Sequence, residues 1–207
     1  MLGIMQMWHV DEELVVVDKP AGLLSVPGRL DAACLAAQVA ERWPDALVVH
    51  RLDMATSGLM LFARGAGAQR RLSAAFAERR VEKRYVAVVR GLVAAESGEV
   101  DAPLAADWPN RPRQHIDRHA GRSALTRWRV LARDAAAGRT RVELEPVTGR
   151  AHQLRVHLLS IGHAIVGDAL YGDDAGGEAR LLLHASALAL PHPRDERRIS
   201  FTSPPPF

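Results

Sequence analysis

The chain is short of several things, and each shortage excludes a class of protein. One cysteine, Cys34, stands in 207 residues, so neither an internal disulfide nor a cysteine-only zinc cluster can form. No apolar run approaches the ~18 residues of a membrane-spanning helix. The longest candidate, 181–190, contains His184. The first eight residues carry no basic stretch and no small-residue cleavage site, so a secretory leader is not expected and the cytoplasm is the default compartment. Internal repeats and low-complexity linkers are missing too, and the Pro-rich stretch 204–206 reads as an extended tail. One domain over 1–207 is therefore expected, with no accessory domain before it.

What is present suits a soluble globular protein: 48% hydrophobic residues, 25% charged residues and a net charge of +3. Lys19 and Lys83 are the only lysines among 27 cations, the rest being Arg. A GC-rich genome would enrich Arg, but it would not segregate charge. Residues 1–50 hold three cations against seven acids, residues 64–90 eight against two, and residues 111–129 six against one. Two basic blocks in a near-neutral chain predict a polyanion footprint.

Hydrophobic patterning predicts strands over 14–17, 59–62, 85–89, 181–190 and 198–201, with a hairpin of 124–131 and 139–144 around Ala135-Ala136-Ala137-Gly138. Helices are expected over 32–43 with Asp31 as cap, over 68–80, and over 150–161 with Thr148 as cap and Leu154, Leu158 and Ile161 on the apolar face. Consecutive strands without intervening helices favour α+β over a doubly wound fold.

Several motifs fail on inspection. The Gly-rich turn after the strand at 61–64 has Arg70 where a dinucleotide fingerprint needs Gly or Ala, so it reads as an ordinary strand–helix turn. His115 and His119, and His152 and His157, lack the partners of a metal site, and no metal is expected. Thr56-Ser57-Gly58 is no nucleophile elbow, and Ser57 reads as a turn residue. Two stretches resist a bland explanation. In His50-Arg51-Leu52-Asp53 an acid stands where an apolar run leaves the core for a loop. In 148–157 the polar residues are too spread around a helix to make one solvated face, and Arg155 borders the apolar stripe. A buried carboxylate partner for Arg155 is expected. An Arg within about 4 Å keeps an Asp ionised, as nucleophilic or base catalysis requires.

Asp18-Lys19-Pro20-Ala21-Gly22, His50-Arg51-Leu52-Asp53 with Thr56-Ser57-Gly58, Glu82-Lys83-Arg84-Tyr85, 148–157 and 162–168 resemble, in order and spacing, the RluA-type pseudouridine synthases. The likeness runs through 13–207. Residues 25–30 and 107–112 resemble the dual-specificity member of that family, which also lacks the small N-terminal RNA-binding domain of many relatives. The resemblance implies an α+β pseudouridine synthase fold: a bent, mixed, largely antiparallel sheet with flanking helices and a central catalytic cleft. It implies isomerisation of uridine in RNA. The N1–C1′ bond breaks, the base turns, C5 bonds to C1′ and the C5 proton is lost. No cofactor and no metal are implied.

By the same resemblance Asp53 is the essential aspartate, either nucleophile at the sugar or base at C2′. Arg155 is the arginine that pairs with that carboxylate, and Tyr85 stacks on the target base. Arg51 enters the space left by the flipped nucleotide, and His50, Arg111, Arg113, Arg150, His152 and Gln153 are expected at the RNA. Bonds at C1′ and C5 cannot be exchanged within a stack, so the base must be flipped, at a cost of a few kcal/mol. Phosphate contacts from the basic blocks offset that cost. The implied substrates are a tRNA anticodon stem-loop and a 23S rRNA hairpin loop, met by a monomer without an obligate protein partner and without a membrane. Three alternatives compete: the same chemistry on another RNA loop, an RNA-binding protein without catalysis, and an isomerase of free uridine. A mononucleotide could not occupy both basic blocks.

Overall fold

Strands dominate the chain because apolar residues recur either in unbroken runs, where both faces are covered, or at every second position. The structure is a computed structural model and describes residues 6–28, 33–172 and 178–207. In chain order the elements begin β1 (Gln6–Val10), β2 (Leu14–Lys19), α1 (Leu35–Arg42), β3 (Ala46–Val48), β4 (Ser57–Arg64), α2 (Gly65–Ala77) and β5 (Glu82–Arg90). They continue with β6 (Ser97–Asp101), β7 (Leu104–Ala106), β8 (Gln114–Ile116), β9 (Leu125–Asp134) and β10 (Arg139–Pro146). The series closes with α3 (Gln153–Ser160), β11 (Leu183–Pro191) and β12 (Arg198–Thr202). Two compact units divide the chain: Met1–Lys83 with His184–Pro206, and Arg84–Leu183 with Phe207.

In the first unit β1, β2 and β4 run antiparallel, β3 adds to β4, and β12 runs antiparallel to β11. β11 joins β4 in parallel, pairing His184 with Ser57 and Ala185 with Gly58. The unbroken apolar runs of β2 and β4 mark strands covered on both faces. Alternate residues part accordingly. Leu14, Val16, Leu59 and Leu61 pack on Ala68, Leu72 and Ala75 of α2, while Val15, Val17, Met60 and Phe62 pack on Leu35 and Val39 of α1. The mixed sheet with few helices is α+β, as the patterning predicted.

In the second unit β5, β10, β9 and β6 form consecutive antiparallel pairs, and β7 and β8 make a separate two-stranded hairpin. β10 alternates cleanly, burying Thr140, Val142, Leu144 and Pro146. α3 has no solvated face in its first six residues, all of which are buried.

Several boundaries differ from expectation. α1 starts at Leu35, and its N-cap is Cys34, whose Sγ accepts from the Ala37 amide at 3.4 Å; the expected cap Asp31 lies outside the described residues. α2 begins three residues early and stops at Ala77, because Arg79 takes a left-handed backbone with φ 61°. α3 spans only Gln153–Ser160 and leaves Ile161 exposed. Thr148 does not cap it: its hydroxyl donates to Gln153 Oε1 and accepts from the Leu125 amide. Ser57 is the first residue of a strand rather than part of a turn.

Candidate active site

Asp53 lies in residues 49–56, between β3 and β4, which have no regular structure of their own. Without a ladder the loop's backbone groups need other partners, and side chains and backbone amides of the first unit supply them. Ser25 Oγ donates to the Leu52 carbonyl at 2.7 Å and accepts from the Leu52 amide at 3.1 Å. The Met54 carbonyl accepts from Lys19 Nζ at 2.9 Å and from the Gly22 amide at 2.8 Å. Thr56 closes the turn with its amide on the Asp53 carbonyl at 3.1 Å. The residues on both sides of Asp53 are thus tied down, while Asp53 itself is half-buried and Arg51 exposed.

Lys19 is fully buried, and its ammonium also donates to the Pro20 and Leu23 carbonyls at 2.9 and 2.7 Å. A buried ammonium is tolerable when its donors are matched. The sequence left Lys19-Pro20 as a possible plain turn. The one available signal was that Lys19 is one of only two lysines in a chain that otherwise uses arginine.

His50, expected at RNA, is held inside the unit. Its Nε2 accepts from the Leu61 amide at 2.9 Å, and its ring stacks on Phe76 with centroids 4.9 Å apart. Burial, with the nearby Lys83 charge adding to it, pushes its pKa down to about 3. The ring is therefore neutral, with the proton on Nδ1. Lys83 is likewise shifted down, by burial and then by Arg79.

β4 leaves the loop under a second set of restraints. Ser57 Oγ and His184 Nδ1 are 2.9 Å apart, His184 Nε2 and Ser203 Oγ 3.0 Å apart, and the Ser203 hydroxyl donates to Asp18. Ser57, His184 and Ser203 are at most 3% exposed. A serine so enclosed cannot meet a substrate, so the series tethers strands. At Gly58, φ is +114° and a Cβ would stand 2.4 Å from the Ala185 carbonyl oxygen, so no other residue fits.

In the second unit, 148–157 folds around Gln153 and Arg155. Gln153 is 3% exposed, and its amide is fully engaged. Nε2 donates to the Leu125 carbonyl and Thr126 Oγ1 at 2.9 and 3.0 Å, and Oε1 accepts from Thr148 Oγ1 and the Arg150 amide at 2.7 and 3.0 Å. Expected at RNA, it belongs instead to the frame. His157 is buried as well. Its Nε2 donates to the Ala102 carbonyl and its Nδ1 meets Thr126 Oγ1, both at 2.9 Å, and burial lowers its pKa against the Ala102 bond and Asp101.

Arg155, 4% exposed, is paired with the buried carboxylate of Asp168. Nε and Nη2 donate to the two carboxylate oxygens at 2.8 and 2.6 Å, a bidentate geometry that fixes the guanidinium plane. Asp168 Oδ1 also accepts from the Leu170 and Tyr171 amides at 3.0 and 3.1 Å. Tyr171, which sequence reasoning missed, is the hub. Its ring lies 5.0 Å from Arg155 Cζ and 5.9 Å from Arg113 Cζ. Its hydroxyl accepts from the Gln114 amide and meets His152 Nδ1, both at 2.7 Å. His152 reaches it from a left-handed backbone, φ 53°. Arg150 Nε donates to the Ser123 carbonyl at 3.0 Å. Tyr85 is half-buried in β5, in register with Leu144, and Arg111 and Arg113 are exposed between β7 and β8.

These restraints meet a matching sequence pattern. The pattern of the RNA pseudouridylate synthase family covers residues 13–160. The chain belongs to that family. It is an isomerase that converts uridine in RNA to pseudouridine. The dual-specificity RNA pseudouridine synthase RluA of Pasteurella multocida is 46% identical over 205 residues, which cover 96% of this chain and 92% of that protein. The same enzyme from Escherichia coli K12 is 45% identical over 203 residues, covering 96% and 92%. Among solved structures, human RNA pseudouridylate synthase domain containing 1 superposes with a TM-score of 0.85 at 30% identity, covering 99% of this synthase and 84% of that chain. The matched stretch includes both the Asp53 loop and 148–157.

Proposed function

We propose that the synthase modifies two RNAs, a tRNA anticodon stem-loop and a 23S rRNA hairpin loop, through Asp53, Tyr85 and Arg155. Asp53 acts at the sugar, as nucleophile at C1′ or base at C2′, Tyr85 stacks on the uracil, and Arg155 supplies the cation of the carboxylate chemistry. Arg51 fills the space of the flipped nucleotide. Arg111, Arg113, Arg150 and His152 face RNA, while His50 and Gln153 hold the frame. In the overall change the N1–C1′ bond gives way to C5–C1′, C5 gives up its proton and N1 gains one. The protein works as a monomeric single catalytic domain in the cytoplasm, without cofactor or metal.

The observation that carries this reading is the restraint on Asp53: a loop without secondary structure in which the residues before and after the carboxylate are each bonded at the backbone. Electrostatic and nucleophilic catalysis both depend on such pre-organisation. Dual specificity rests on the relatives' names and on 107–112. Hairpin transcripts of both RNAs, tritiated at uridine C5, test it. Wild type releases tritium from both and Asp53→Asn from neither. Release from one RNA alone would reduce the reading to a single-substrate enzyme.

A further inference from the structure

The two basic blocks differ once their partners are known. In 64–90, Arg64 meets Asp45, Arg71 meets Glu13, Arg80 meets Glu78 and Glu196, and Arg84 meets Glu143, all within 3.1 Å. Four of that block's eight cations are thus paired with carboxylates within the fold. In the second block only Arg127 and Arg129 have carboxylate partners among the described residues. Arg111, Arg113, Arg118 and Arg122, on or beside the β7–β8 hairpin, have none within 4 Å among the described residues.

The tip of that hairpin carries Trp108, 68% exposed. The Arg111 guanidinium carbon sits 3.4 Å from its ring centroid, covering one face, and exposure this high leaves the other face to solvent. Asp107 shapes the tip. Its carboxylate accepts from the Asn110 amide at 3.3 Å and from Asn110 Nδ2 at 3.0 and 3.1 Å, and its own amide donates to the Arg113 carbonyl at 3.0 Å. The root is held by the Gln114 amide on Tyr171. An indole backed by a cation, on a braced turn amid uncompensated arginines, suits a base with a phosphate nearby; an apolar protein surface would leave that charge unmatched.

We propose that Trp108 is a stacking platform for an unpaired nucleobase of the substrate RNA loop, one other than the uridine that reacts. This rests on the reading that the substrate is an RNA hairpin loop. Stacking on an aromatic residue tolerates any base because every base has a π face, and the arginines engage the flanking phosphates. Trp108 is a binding residue, so its loss weakens RNA capture and spares the chemical step.

The test uses a tritiated anticodon-loop hairpin with wild type, Trp108→Leu, Trp108→Ala and Trp108→Phe. The expected result is a KM and a Kd raised on the order of 10- to 100-fold in the Leu and Ala variants, with kcat within about 2-fold of wild type. Trp108→Phe, which keeps a π face, holds most of the affinity. RNA quenches tryptophan emission in wild type, and the quench shrinks in Trp108→Phe. Unchanged Kd and KM in a folded Trp108→Leu protein, or a quench unaltered by Trp108→Phe, overturns the platform. If wild type binds the hairpin but releases no tritium, the substrate reading fails, and the Kd and quench comparisons still decide the platform.

Discussion

At the scale of the residue, the site depends on a few buried polar atoms matched one to one. Ser25→Ala would strip partners from both the amide and the carbonyl of Leu52, two buried backbone groups. Each buried group left unsatisfied costs ~1–3 kcal/mol. Urea unfolding is expected to show a loss of ~2–4 kcal/mol, and tritium release to fall further than stability alone explains because Asp53 is next in sequence. His50 gives a pH dependence with a definite sign. Folded, its pKa is about 3, against an ordinary 6.5, so below 6.5 the unfolded chain takes up a proton that the native ring refuses. Its contribution is complete above pH 6.5 and drains away on acidification, by at most ~1.4 kcal/mol per pH unit, until about pH 3. His50→Gln, which keeps an acceptor for the Leu61 amide, is expected to flatten the stability–pH curve over that window. A curve as steep as wild type would remove His50 from the explanation.

At the scale of the element, the decisive contacts are where backbones touch. Gly58→Ala would drive a Cβ into the Ala185 carbonyl at the β4–β11 pairing. The expected loss exceeds ~3 kcal/mol, read as a lower thermal midpoint or as insoluble protein. Tyr171→Phe takes one hydroxyl from a hub serving the Gln114 amide and His152. Losing it should cost ~1–3 kcal/mol. Amide exchange at Gln114 should accelerate, because that amide loses its acceptor. Unaltered exchange there would show that the hairpin root is held by other means.

At the scale of the whole molecule, the net charge of +3 understates affinity for RNA and the count of arginines overstates it. The arginines already paired with carboxylates add little counterion release. A plot of log Kd against log salt should therefore have a slope set by a handful of phosphates, with each neutralised phosphate contributing ~0.7 for single-stranded RNA. Arg113→Gln should lower that slope by about one such step, whereas Arg64→Gln, in an Asp45 pair, should leave it nearly unchanged. Equal slope changes for the two variants would mean that internal pairing does not decide which arginines meet RNA.

The α+β class was legible in the sequence itself, because apolar periodicity reports strands such as β2, β4 and β10 directly, and the reaction was legible through the resemblance of His50-Arg51-Leu52-Asp53 and 148–157 to a known family. Only tertiary structure decided which polar residues face outward. His50 and Gln153 read as RNA contacts because a histidine and a glutamine look alike in sequence whether they meet solvent or a backbone amide 11 residues away. Tyr171, Asp168 and Ser25 gain their meaning from partners 57, 13 and 27 positions distant. The same holds for charge: a run of arginines reads as one basic block until folding supplies carboxylates to part of it. Hydrogen bonds and ion pairs between distant residues leave no periodic trace, because what fixes them is proximity in the fold.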